Sequence, residues 1–376
     1  MGSSVHLALA GDVMLGRGVD QLWSSCSKPL LHERVVRDAR QYVAMAEQRH
    51  GVIAKPVDHA YPWGEALAAL LHPSSQITLV NLESAITRSD QFWPWKGIRY
   101  RLHPDNVDAL KAAQIDGCCI ANNHILDWGL NGLADTLRCL KQAGIQYTGA
   151  GLSLHQAQTP MRFSLPQGQA LLVYAWGFPS SGIPADWQAN VQRPGVAMLQ
   201  HPDLGTLKWI SQAIRRRRRQ GDRVVVSLHW GGNWVDQIPE QHRWLAHHLV
   251  DVAEVDVVFT HSCHHPLPLE IYRDRLILYG CGDLINDYEG LPSQRRSLSD
   301  LGCLYQPVLD ASSGALKRLR IVPFQRRQLQ LRRSVGEARE RLVTQLQLDQ
   351  LPQGWTYRDE GNAWSVVQQR GRAEAD

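Results

Sequence analysis

No part of this 376-residue chain approaches the roughly eighteen consecutive apolar residues that a membrane-spanning helix needs. The N-terminus also lacks a signal-peptide core, because its apolar run begins at Val5 and meets Asp12 within a few residues. Cysteine is too sparse and too scattered for a disulfide framework: there are seven, an odd number, in a long chain. Cys118 and Cys119 sit together in a strand-like segment and read as small core residues, while Cys263 and Cys281 match no zinc spacing. Excess charge of one sign is missing as well. Forty Lys and Arg against 36 Asp and Glu leave +4, so no global field draws nucleic acid. These absences predict a cytoplasmic protein with no membrane span and no nucleic-acid partner. One local exception is the run Arg215–Arg219, closing a helical stretch. It reads first as a solvated helix C-terminus, where cations suit the helix dipole, and second as a docking point for a polyanion.

What the chain does contain is a series of five blocks in which an apolar run stops at metal-ligand chemistry. They are residues 7–17 (LALAGDVMLGR), 77–83 (ITLVNLE), 120–129 (IANNHILDWG), 224–232 (VVVSLHWGG) and 257–265 (VVFTHSCHH). A run of Val, Ile and Leu ending in a carboxylate, amide or imidazole is the pattern of a buried strand delivering a ligand to a sheet's C-terminal edge. Five such blocks with mixed oxygen and nitrogen donors predict a two-metal hydrolytic site.

Between the blocks, strand and helix patterns alternate. Strands are expected at 5–10, 77–82, 117–121, 170–176, 224–229, 255–260 and 275–279, and helices at 31–48, 64–72, 104–113, 129–143, 204–217 and 240–252. An apolar content of 44% is ample for a core. The expectation is an α/β fold with helices on both sheet faces, a main body over 1–318 and a C-terminal appendage over 319–376.

Each block has a plain reading beside the chemical one. Asp12 follows a strand and precedes a loop; alone it would be a turn or cap residue. Glu83 ends a buried strand and needs a partner or a metal. Asn122, Asn123 and His124 lie on a strand-to-helix turn, where one Asn can serve as a cap and His124 can move protons. Asp127, three residues on, can orient that imidazole. His229 and His261 each end a β run, and His264 can converge with His261 if the turn between them is helical. Arg17 and Trp230 are candidate substrate contacts, as is Asn122. Trp93, Trp95 and Lys96 fall in a loop that reads as a lid, and Asp283, Asn286 and Asp287 as pocket lining or simple turn residues.

These blocks resemble the CapA-type capsule-biosynthesis family, named for poly-γ-glutamate production, whose fold is similar to the calcineurin-like metallophosphatases. The matching text is GDVMLGR (11–17), NLE (81–83), ANNHILDWG (121–129), HWGGNW (229–234), THSCHHPLPLEIY (260–272) and LILYGCGDLINDYEG (276–290). The resemblance implies a four-layer α/β sandwich of metallophosphatase type. It makes Asp12 a first-block ligand, Glu83 a bridging carboxylate, Asn123 and His229 ligands of a second metal, and His261 and His264 the final histidine block. His124 becomes an acid oriented by Asp127. The superfamily's first block usually carries Asp-x-His, whereas here Val13 and Met14 follow Asp12, which removes one ligand. The usual bridging Asp is also replaced by the longer Glu83. Family members commonly carry an N-terminal membrane anchor, and none is read here.

Two functions follow as expectations. The first is hydrolysis of a phosphoester or γ-glutamyl amide in an anionic or polyglutamate-like substrate, using two divalent ions of Mn, Fe or Zn. The second is a non-catalytic accessory role, binding an anionic polymer or assisting a polyglutamate ligase alongside capsule-synthesis partner proteins. A purely structural metal centre is a third reading.

Overall fold

The computed structural model describes residues 3–71, 77–291 and 298–369. Two sheets carry the fold. In the first, Ser4–Val13, Ile77–Leu82, Gly117–Cys119 and Gln146–Thr148 run parallel in that order. Its other half is antiparallel, from Leu301–Asp310 through Leu316–Arg327 to Trp364–Gln368 and the edge strand Trp355–Asp359. In the second, Ala170–Gly177, Arg223–His229, Val257–His261 and Arg275–Leu278 are parallel, flanked by antiparallel edges at Met161–Ser164 and Leu269–Tyr272.

Residue alternation decides what each face of the second sheet touches. Leu171, Val173 and Ala175 join the core shared with the first sheet. Leu172, Tyr174 and Trp176 point the other way, onto Leu207, Ile210 and Leu245 of the helices Leu204–Arg215 and Glu240–Asp251. The outer face of the first sheet is covered by the helix Gly129–Gln142, through Leu133, Leu137 and Leu140, and by the segment around Trp63 and Leu70. The result is a four-layer α/β sandwich, as the resemblance implied. Parallel strands buried on both faces require near-continuous apolar sequence, and the runs at 77–82 and 223–229 are buried at every position.

Two sequence expectations shift. The helix expected over 31–48 begins only at Arg40 and runs to His50. Upstream, Glu33 is drawn into ion pairing with Arg17 and a hydrogen bond from Tyr42, so tertiary contacts hold that segment out of helical geometry. The short helix expected over 64–72 is a 3₁₀ turn, Tyr61–Ala66, followed by Leu67–Leu70, and its expected end at His72 lies outside the described residues. Position 318 falls inside the strand Leu316–Arg327 of the first sheet, and Trp364 and Val366 enter the shared core. Among the described residues, no helix is long and apolar enough to cross a membrane.

Because Trp364 is fully buried in that core, Trp364→Ala is expected to destabilise the whole protein by about 3–5 kcal/mol in chemical denaturation. A transition of the main body left unchanged would show that the C-terminal strands fold independently.

Candidate metal centre

All five ligand-rich blocks arrive at one end of the two sheets, where the parallel strands finish. Asp12 lies beside Asn81 across one strand pair, and His229 beside His261 across another. A short strand, Asp283–Ile285, brings Asp283 alongside Asp12 from the opposite flank. Gly11 makes this approach possible: a Cβ there would lie 1.9 Å from the Gly282 carbonyl oxygen, which accepts from the Asp12 N–H at 3.0 Å.

Two groups of potential ligands result, and they share Asp12. Asp12, Glu83 and His229 form one; Asp12, His264 and Asp283 form the other. Within each, the ligand atoms lie within 4.8 Å of one another, and all five residues are buried. His261 adds to this cluster. Its Nδ1 sits 3.7 Å from Asp12 Oδ1 and, among the described residues, has no hydrogen-bond partner, while its Nε2 is held 3.0 Å from Ser227 Oγ. Asn123 Oδ1 is 3.1 Å from His229 Nε2. Glu83 is the most exposing case. Both carboxylate oxygens are buried without a hydrogen-bond partner among the described residues, with His124 Nε2 at 3.7 Å and His229 Nε2 at 3.9 Å from Oε1.

The electrostatics follow from this crowding. Burial first, then Asp283, pushes the Asp12 carboxyl up to about 7, and burial together with Asp12 and Asp283 drives Glu83 well above the ordinary carboxylate range. Burial holds His229 well below its usual range and His261 down to about 3, so both are neutral imidazoles. His264 moves the other way: burial opposes its charge, but Asp283 at 2.9 Å from Nδ1 raises it.

A proton-handling group adjoins the carboxylates. Asp127 Oδ2 is 2.7 Å from His124 Nδ1 and also accepts from the Tyr100 N–H at 2.7 Å. Burial lowers His124 to about 4 despite Asp127, so the ring rests neutral. Its Nε2 faces Glu83. Lys96 completes the group. Its loop neighbour Trp95 is fully exposed, but Lys96 turns inward, 2.5 Å from Asp127 Oδ1 and 2.9 Å from His124 Nδ1. Tyr100 meets the His124 ring edge-on, and Tyr288 and Trp234 stand against His264, giving the site aromatic walls.

Three residues expected to contact substrate are committed elsewhere. Arg17 is buried, forked onto Asp287 and paired with Glu33 at 2.9 Å, between the rings of Tyr42 and Tyr100. Asn122 has its polar atoms engaged by Asn81, Leu82 and the His124 N–H, so it braces the turn. Trp230 follows His229 by one residue and therefore points to the opposite face, stacked 4.0 Å from His242. His265, given no role above, bonds the Pro266 carbonyl and lies against Trp234. Conversely, Asp283, Asn81 and Lys96 stand closer to the centre than their sequence context suggested. Asn81 donates to Asp12 Oδ1 at 2.7 Å, and Asn286 donates to Asp283 Oδ2 at 2.7 Å. Asn81 lies near the end of an apolar strand, a signal shared with Glu83, whereas Asp283 opens the short strand Asp283–Ile285 after a Gly-rich turn and, like Lys96, carries no comparable signal.

Layering and site together define an α/β sandwich protein with a carboxylate–histidine centre at its parallel strand ends. The chain belongs to the bacterial capsule synthesis protein PGA_cap family, whose family model matches residues 6–288. It is 43% identical over 331 residues to a probable polyglutamine synthesis accessory protein of Mycobacterium tuberculosis, covering 88% of this chain and 87% of that one. It is 29% identical over 192 residues to the capsule biosynthesis protein CapA of Bacillus anthracis, covering 51% of this chain and 45% of CapA. Among solved structures, a phosphatase of Mycoplasma pneumoniae aligns over 86% of this chain and 94% of its own, at 13% identity and a TM-score of 0.48.

The crowded carboxylates set how the metal-free protein responds to pH. Folded Asp12 and Glu83 hold protons more tightly than the unfolded chain does, so their contribution to stability is fully present below the ordinary carboxylate range and is lost as pH rises from about 4 through about 7, while the burial-depressed His124, His229 and His261 act in the opposite sense. Glu83→Gln is expected to flatten this decline and raise the metal-free melting temperature by a few degrees, an effect of about 1–3 kcal/mol. A variant that melts lower than the wild type across this range would contradict the assignment of Glu83 as an uncompensated carboxylate.

Proposed function

We propose that this protein is a divalent-metal-dependent hydrolase of capsule-polymer metabolism, acting on a phosphoester or γ-glutamyl amide. The observation that carries this reading is Glu83: a buried carboxylate, without a hydrogen-bond partner among the described residues, between Asp12 and two neutral imidazoles. Burying such a group is costly unless a cation takes the vacant lone pairs. Asp12, Glu83, Asp283, His229 and His264 would hold two metals, with Asn123 and His261 as further donors, and this oxygen–nitrogen set suits Mn, Fe or Zn. Bound divalent ions supply Lewis acidity, easing deprotonation of water and stabilising charge that develops on the electrophile's oxygen.

The chain's own residues do the rest. Asp127 fixes His124 through Nδ1, leaving Nε2 toward the reaction site. At Nε2 the neutral ring takes a proton from the incoming water and passes it to the leaving group, a transfer favoured by a burial-weakened imidazolium. Lys96 neutralises Asp127 and closes the site from the loop side. All seven cysteines are free, which supports a cytoplasmic location.

A second reading rests on a different observation: the Mycobacterium tuberculosis relative is named an accessory protein of polyglutamine synthesis. In that reading the site engages an anionic polymer for a partner synthase without consuming it. Manganese-loaded protein should turn over a generic phosphodiester or a γ-glutamyl amide, and His124→Gln should lower kcat by about a hundred- to ten-thousand-fold with metal content unchanged. Binding of the polymer without turnover in the wild type would instead establish the accessory role.

A further inference from the structure

The arginine run that the candidate centre leaves unused leads to a second cavity. Arg218, the half-buried member of Arg215–Arg219, lines a pocket of about 420 Å³ with Arg223, Arg273 and Arg275. Four guanidinium groups therefore converge from four separate segments: a helix end, the first residue of the strand Arg223–His229, a hairpin tip, and the first residue of the strand Arg275–Leu278. The pocket lies at the opposite end of that strand from His229, about 20 Å away at 3.3 Å per residue.

We propose that this pocket is a binding site for a phosphate-bearing small molecule, separate from the candidate metal centre. Three carboxylates, Asp251, Glu254 and Asp256, face the four guanidiniums, which leaves one positive charge uncompensated. The pairing is also loose at its buried core. Asp256 Oδ1 accepts a long hydrogen bond of 3.4 Å from Arg223 and lies 3.6 Å from Arg275, so one carboxylate oxygen is shared loosely by two cations while the other accepts from the Val224 N–H at 2.7 Å. Arginine forks presented from several directions suit a multiply charged, tetrahedral oxyanion better than a further planar carboxylate. The cavity volume is in the range of small-molecule pockets. The hairpin tip supplies a separate indication. Arg273 and Asp274 both adopt positive φ, 48° and 58°, in a two-residue turn that Asn-Gly would form with less strain. The sequence keeps an arginine there, and Asp251 at 3.0 Å aims it toward the pocket.

Pyrophosphate is the probe, titrated calorimetrically into full-length, metal-free protein, with citrate as the carboxylate comparison. One equivalent should bind, weakening as ionic strength rises. Arg218→Ser/Arg273→Ser should weaken binding by about tenfold or more, and His229→Ala should leave it unchanged. Arg273→Ser alone, at an exposed turn, keeps the test valid if the double variant does not fold, with a smaller loss expected. Absence of binding, affinity indifferent to Arg273→Ser, or citrate bound as tightly as pyrophosphate would each overturn the proposal. None of these outcomes depends on whether the metal centre is catalytic.

Discussion

Three carboxylates, Asp12, Glu83 and Asp283, are buried within reach of one another, and the rest of the site is arranged around their mutual repulsion. They are buried, and among the described residues no arginine is forked onto them. The protein compensates only in part: Asn81 and the Ser262 N–H serve Asp12, while Asn286 and His264 serve Asp283. Glu83 receives none of this. Enclosing a carboxylate in this way costs stability that an apolar residue in its place would not.

The two-sheet architecture makes that crowding possible. Parallel strands carry their ends to one edge, and the close approach at Gly11 lets the short Asp283 strand flank Asp12. Asp12, Glu83, His229 and His261 thus sit at or directly after strand ends held by buried apolar runs, which gives them more positional rigidity than a loop could. His124, Asp127 and Lys96 sit on the connections instead. Arg17, clamped by Asp287 and Glu33 between two tyrosines, is the brace beneath that loop side.

Much of this was legible in the sequence because strand burial has a strong signature. Apolar runs ending at Asp12, Glu83, His229 and His261 marked both the sheets and the edge at which they meet. What the sequence hid was pairing across long separations. Arg17 looked free for substrate because its partner Asp287 lies 270 positions away. Trp230 looked close to the site because it adjoins His229, yet strand alternation turns it to the far side of the sheet. Asp283 read equally well as a turn residue, since nothing local reveals that a three-residue strand sets it beside Asp12. Lys96 sat in an aromatic loop whose inward turn depends on Asp127.

The most direct test is metal stoichiometry after reconstitution with manganese, measured by elemental analysis on wild type and Asp12→Asn. Because both ligand groups share Asp12, the account predicts close to two equivalents in the wild type and loss of both together in the variant. No bound metal in the wild type, or two equivalents retained without the Asp12 carboxylate, would contradict it.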